Sequence, residues 1–259
     1  MREWNMKRFS VMEISCIVVM LVLIGYASCA TARYPDPKEY GEYAQAIRRD
    51  DISYVKRFTA KYKKYAITDI ELIGHHFNPV EIAAISDSND IVKFLLEKGA
   101  DPNALSPSYK VPIIFVMVAN KKVEAIKLAI EHGSKVDIKD DGGMSLIGYA
   151  ASTGSLEVVS ALLPAIKDIN AVDERNGNAL FGAIYSDSIE ILNLLAARGI
   201  DLNNQDSYGN TPLLYAIGLG QIAIAERLIE LGAGTSIMNE KGYDAKRLAE
   251  HMGLAISGL

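Results

Sequence analysis

The sequence predicts an all-α solenoid of about six to seven helix-turn-helix units behind an irregular N-terminal cap. Three observations predict it. The first is a period: Asp140, Asp173, Asp206 and Asn239 stand 33 residues apart, as do Gly143, Asn176, Gly209 and Gly242, and again Ser145, Asn178, Thr211 and Asp244. A fixed spacing of roughly 20 to 50 residues is the mark of a repeat architecture and takes precedence over any local motif. The second is that Ala150, Ala183, Ala216 and Ala249, and Gly133, Ile166, Gly199 and Gly232, continue in the same register. The third is composition. With 259 residues, 49% hydrophobic, 23% charged and only 8 Pro, the chain can bury a large core and is too apolar to stay disordered. Length divided by the usual domain size of about 150 residues gives fewer than two domains. For a solenoid that quotient misleads, because repeat count sets the size of one quasi-linear domain.

Taken from the start, residues 1–28 read as an address. Arg2, Lys7 and Arg8 are followed by a charge-free apolar run, Ile14 to Gly25, of signal-peptide length. Small residues then precede Cys29, which resembles the lipobox of bacterial lipoproteins, with Tyr26 departing from the aliphatic residue usual there. Acylation of Cys29, cleavage after Ala30, and an uncleaved anchor from Val11 to Ala30 all fit this segment, and all three export the remainder of the chain. Met6 offers a second start site. With Cys16 lost in the signal and Cys29 acylated, the folded part holds no thiol, which suits an oxidising compartment. Residues 29–37, with Pro35 and Pro37, read as a tether. Tyr43 to Phe58 has a two-helix pattern, followed by a linker from Thr59 to Phe77, so 38–70 reads as a cap over the first apolar face. Units of about 71–105, 106–139, 140–172, 173–205 and 206–238 come next, and 239–257 closes the stack.

Each column has a physical reading. Asp or Asn suits a side chain folded back on a turn, and Gly or Asn a positive φ. Ser145, Asn178, Thr211 and Asp244 are N-cap residues that mark helix starts. The alanines fall where two helices approach, and Gly99, Gly133, Gly199 and Gly232 where a second helix ends left-handed.

Asp206 to Ala216 (DSYGNTPLLYA), Asp90 to Asn103 (DIVKFLLEKGADPN) and Ser155 to Val159 (SLEVV) resemble the two halves of the ankyrin repeat, over roughly residues 71–257. The chain departs from that pattern in several places. Gly99 to Gly133 is 34 residues, and the extra one is expected between two helices near Lys121. Pro164 and Ile166 replace a regular helix end. The pattern's histidine is absent, its positions holding Glu81, Ile114, Gly148, Phe181, Leu214 and Arg247. A usual stabilising hydrogen bond is thereby expected to be lost.

Little in the chain suggests chemistry. There is no G-x-S-x-G, Walker A, dinucleotide or EF-hand motif. Of the 4 histidines, His75 and His76 are expected in a loop, His132 before a turn, and His251 near a helix C-terminus, where a cation is favourable. Asp140 and Asp141 read as turn residues. No catalytic residue, metal or cofactor is expected.

The resemblance implies a non-enzymatic protein-binding module whose turn tips and first helices form a concave face. Candidate contacts there are Tyr109, Lys110, Ser152, Glu174, Arg175, Tyr185, Ser207, Tyr208, Leu219 and Tyr243, tyrosine and arginine being favoured at hot spots. A net charge of −5 disfavours nucleic acid. That balance divides as +1 over residues 1–28, +3 over residues 31–70 and −9 over 71–259. The acidic array suggests a partner with a basic surface, and Lys56, Arg57, Lys61, Lys63 and Lys64 suggest anionic headgroups near the tether. An immunity or inhibitor protein facing the periplasm is one expectation, and a scaffold at the membrane is the alternative.

Overall fold

The computed structural model describes residues 35–72 and 75–259. The N-terminal stretch read above as an address, with Cys16 and Cys29, lies outside the described residues. Residues 37–259 form one compact unit. It opens with helices α1 (Pro37–Arg48), α2 (Ile52–Lys61) and α3 (Lys63–Ala66) and an antiparallel hairpin of β1 (Ile70–Leu72) and β2 (His75–Phe77). Helix pairs then succeed one another in register: α4 (Pro79–Ile85) with α5 (Asn89–Glu97), α6 (Ile113–Ala119) with α7 (Val123–Glu131), and α8 (Leu146–Ser152) with α9 (Leu156–Leu162). Next come α10 (Ala179–Tyr185) with α11 (Ile189–Ala197), α12 (Pro212–Gly218) with α13 (Ile222–Glu230), and finally the closing helix α14 (Ala245–Met252). First helices pack on first helices and second on second, giving a two-layer helical stack.

The expected helix starts are borne out. Ser145, Asn178, Thr211 and Asp244 each accept a backbone amide of their own helix, from Gly148, Leu180, Leu214 and Arg247 at 3.2, 3.1, 3.2 and 2.9 Å. Each such cap is worth about 1 kcal/mol. The helix-ending glycines 99, 133, 199 and 232 have φ of 97, 90, 79 and 95°, a conformation only glycine adopts without strain. Ala150, Ala183 and Ala216 are fully buried and Ala249 nearly so, which lets the first helices approach. Pro164 stops α9 at Leu162, as expected.

Three expectations need correcting. The extra residue of the second repeat lies in the turn before α6, not near Lys121. Gly99 is 13 positions from the N-cap Pro112, whereas Gly133, Gly199 and Gly232 are 12 from theirs. That turn closes from the Lys110 amide to the Ser106 carbonyl, four residues apart, where its counterparts close over three, as from Gly143 to Asp140. The Thr59–Phe77 linker is not a plain loop: α2 runs on to Lys61, α3 comes after it, and the hairpin places His75 and His76 in a strand. Finally, the missing histidine is partly replaced. Glu81 Oε1 accepts the Ser106 hydroxyl at 2.9 Å, linking one repeat to the next where imidazole was absent.

The cap buries an aromatic cluster. Tyr43 stacks on Phe58 with ring centroids 4.1 Å apart, and its hydroxyl donates to the Ala66 carbonyl at 2.7 Å. Burial pushes the Tyr43 phenol up, against a smaller lowering by Thr59. Between repeats, a side-chain ladder ties the loops. Asn103, Asp137, Asn170 and Asn203 each accept an amide from the next repeat, from Lys135, Lys167, Asp201 and Gly234 at 2.8, 3.0, 2.7 and 2.7 Å. Every rung satisfies a loop amide that no helix could reach.

Candidate protein-binding face

The first helices set the character of one face. Helices α6, α8, α10 and α12 read IIFVMVA, LIGYAAS, ALFGAIY and PLLYAIG, without a charged residue among them. Their buried residues form the core. The half-buried remainder, including Tyr149, Phe181 and Tyr215, forms with the turn residues a face that is aromatic and uncharged along its floor. Ring pairs cross the repeat boundaries, Phe115 with Tyr149 at 5.8 Å and Phe181 with Tyr215 at 5.3 Å, and at the C-terminal end Tyr243 meets His251 at 5.3 Å. Aromatic pairs of this kind are worth roughly 0.5–1.5 kcal/mol beyond their buried area.

Between α8 and α10 the floor narrows to backbone. A Cβ on Gly182 would overlap the Gly148 carbonyl oxygen and crowd the Ser152 amide at 3.0 Å. On either side the face opens into a hollow. One, of about 390 Å³, is lined by Tyr109, Val111, Phe115, Val116, Ala119, Asn120, Asp140 and Tyr149. The other, of about 420 Å³, is lined by Asn210, Leu214, Tyr215, Gly218, Leu219, Asn239, Lys241, Tyr243, Leu248 and His251.

The structure distributes the candidate contacts over this face unevenly. Tyr109 walls the first hollow, and Leu219 and Tyr243 the second. Tyr185, Tyr109, Tyr208 and Leu219 are 71, 67, 62 and 51% exposed, large apolar areas with little intramolecular cover. Ser152 is committed to its own helix, its hydroxyl donating to the Tyr149 carbonyl at 2.7 Å. The Glu174 stem braces the neighbouring turn, because it occupies the space where Gly143 would carry a Cβ. Adjacent tips are zipped through backbone: Ser207 N–H donates to the Arg175 carbonyl at 2.7 Å, and Glu240 N–H to the Tyr208 carbonyl at 3.1 Å. That fixes the tips while leaving the side chains of Arg175, Ser207 and Tyr208 exposed. Lys110 holds a left-handed backbone, with φ 61°, at the lengthened turn. Tyr243 is half-buried against His251, which is thus a wall of the hollow as well as a helix-end residue.

Sequence reasoning missed Tyr149, Phe181, Tyr215 and His251 as surface, and Phe115 as the buried ring behind Tyr149. With the extra residue placed before α6, Phe115 and not Ile114 joins Phe181 in the column of the absent histidine, three residues after the N-cap, while Tyr149, Gly182 and Tyr215 form the column one place later and its residue types vary. No one residue type marks the column. Among the described residues there is no group of three or more His, Cys, Asp or Glu that could hold a metal ion, and no helix long and apolar enough to cross a membrane.

Comparison with known proteins agrees with this architecture. The family model for ankyrin repeats in three copies matches residues 114–206 and 166–240, and the single ankyrin repeat model matches 75–107. An ankyrin repeat protein of Fowlpox virus (strain NVSL) is 26% identical over 190 residues, 73% of this chain and 30% of its own length. The B-cell lymphoma 3 protein homolog of Mus musculus is 26% identical over 166 residues, 62% of this chain and 37% of its own. The chain thus spans about a third of those two relatives. An Escherichia coli ankyrin repeat protein, YahD, is 28% identical over 178 residues, 66% of this chain and 88% of its own. Among solved structures, the ankyrin repeat domain of Bcl-3 superposes with a TM-score of 0.72 at 21% identity, over 80% of this chain and 92% of that one. Matching repeat models, periodic caps and a two-layer stack agree: the chain belongs to the ankyrin repeat family.

Proposed function

We propose that this chain is a non-enzymatic protein-binding module that holds one protein partner on the face formed by its turns and first helices. The observation that carries the reading is the uncharged, aromatic floor flanked by exposed Tyr185, Tyr208 and Leu219. Exposed tyrosine and leucine beside preformed hollows are surfaces that gain by being covered. The mechanism is occupancy of a rigid surface, with nothing turned over. The acidic balance of −9 over residues 71–259 supports long-range attraction of a partner with a basic surface, whereas the contact itself is apolar.

The N-terminal sequence supports export and anchoring through Cys29 at a bacterial envelope, with the repeats facing the periplasm. There the module fits an immunity or inhibitor role, blocking an incoming protein by covering its surface. Mass analysis of the mature chain tests the anchor: an acylated N-terminal Cys29 supports it, and an unmodified chain beginning at Thr31 overturns it. Replacing Tyr185, Tyr208 and Leu219 together by alanine tests the face. Loss of the partner with an unchanged helical spectrum is expected, and full retention contradicts the reading.

A further inference from the structure

The two hollows differ in polarity. The first has two accessible aromatic walls, Tyr109 and Tyr149, beside the buried Phe115, and one charged lining residue, Asp140. Asp140 Oδ1 accepts the Gly142 and Met144 amides, both at 2.9 Å, so the turn consumes one oxygen, and Oδ2 has no hydrogen bond among the described residues. Neither Lys110 nor Lys139 lines it. Aromatic faces around a carboxylate attract a cationic side chain, at roughly 0.5–2 kcal/mol for the ring contribution.

The second hollow reverses this. Its charged or ionisable lining residues include Lys241 and His251, no carboxylate lines it, and Lys241 makes no ion pair among the described residues. An ammonium and an imidazole beside the Tyr215 and Tyr243 rings suit a carboxylate, in a stretch of chain whose overall balance is acidic. From the first hollow to the second the face runs over α8, α10 and α12, of which α8 lines the first and α12 the second, with no charge on the three helices and with backbone meeting backbone at the Gly148–Gly182 crossing. Three helix-to-helix steps of ~8–10 Å separate the hollow centres by about 24–30 Å. At ~3.3–3.6 Å per residue, an extended segment covers that in about eight residues.

We infer that the partner contributes an extended segment carrying an Arg or Lys for the Asp140 hollow. About eight residues away it carries an Asp or Glu for the Lys241 hollow, with uncharged residues between. This rests on the binding-face reading and adds a polarity to it. A binder oriented by two opposite end charges gains register from electrostatics while its floor stays apolar.

The test titrates the full-length chain, in mild detergent, with fluorescein-labelled synthetic peptides on one Leu/Ala/Ser spacer. They carry Arg and Glu eight positions apart in both chain directions, Arg at both ends, or Glu at both ends. An Arg/Glu peptide is expected to bind about tenfold more tightly than either like-charged peptide. D140N keeps the turn's oxygen acceptor and removes the charge, and K241Q changes an exposed tip. Each is expected to abolish the preference with an unchanged melting temperature. Equal binding of all peptides, binding of none, or a preference that survives both substitutions overturns the inference. In each of those cases, capture of the native partner that is lost on Tyr185→Ala keeps the binding-face reading. Capture that persists in Tyr185→Ala counts against that reading as well.

Discussion

Gly182 of α10 packs against the carbonyl of Gly148 in α8, so that two helices of successive repeats meet backbone to backbone midway along the binding face. Neither position can carry a side chain without moving the other helix or its cap. A Cβ at Gly148 would stand 2.9 Å from Ser145 Oγ, which is engaged as the N-cap.

Glycine at position 182 is therefore structural. Gly182→Ala should destabilise by about 1–3 kcal/mol, the usual cost of overpacking a filled core. Gly218→Ala is the control. It lies in α12 with nothing within 4 Å of the added Cβ, so it should stabilise by about 0.5–1 kcal/mol by restricting the unfolded chain. Urea melts of the two variants should move in opposite directions.

Glu81 makes stability depend on pH. Burial raises its pKa above 4.5, the Ser106 hydroxyl opposes this, and Asp69 reinforces it; Oε2 is buried with no partner. The native carboxyl thus binds its proton more tightly than the unfolded one. Its contribution is fully present below about pH 4.5, falls as pH rises through the elevated native value, and is least at neutrality. Glu81→Gln should raise the melting temperature at pH 7 and lose that advantage as pH falls towards 4. A uniform shift at every pH would mean that ionisation of Glu81 is not the cause.

The loop ladder should be cumulative. Asn203→Ala removes the acceptor of the Gly234 amide at 2.7 Å, and Asn170→Ala that of Asp201, also at 2.7 Å. Each should cost about 1–2 kcal/mol, because a loop amide loses its partner. Hydrogen exchange should localise the faster amides to Gly234 and Asp201 and their neighbours. Protection unchanged at those two sites would show that solvent replaces the rung without loss.

Much of this fold was legible in the sequence because its determinants are local and repeat. Ser145, Asn178, Thr211 and Asp244 cap amides two or three residues away, and Gly133, Gly199 and Gly232 need only their own φ. The features that escaped are set by three-dimensional neighbours. The 34-residue spacing showed that a residue was inserted but not where; the Lys110-to-Ser106 closure decides that. Glu81 reads as a lost histidine until Ser106, 25 residues on, is found beside it. Tyr149 and Tyr215 read as ordinary helix residues until their rings are seen against Phe115 and Phe181 from the adjoining repeats. The hairpin at 70–77 is too short to carry a period of its own.

The central claim is that a protein partner sits on the face of the first helices and turns. A photo-crosslinking amino acid tests it most directly, placed at Tyr185 on that face or at Leu156, which is exposed at the start of the second-layer helix α9. Irradiation of cells producing each variant should give a discrete partner adduct from position 185 and none from position 156. An adduct from position 156 alone would place the partner on the opposite layer and contradict the account.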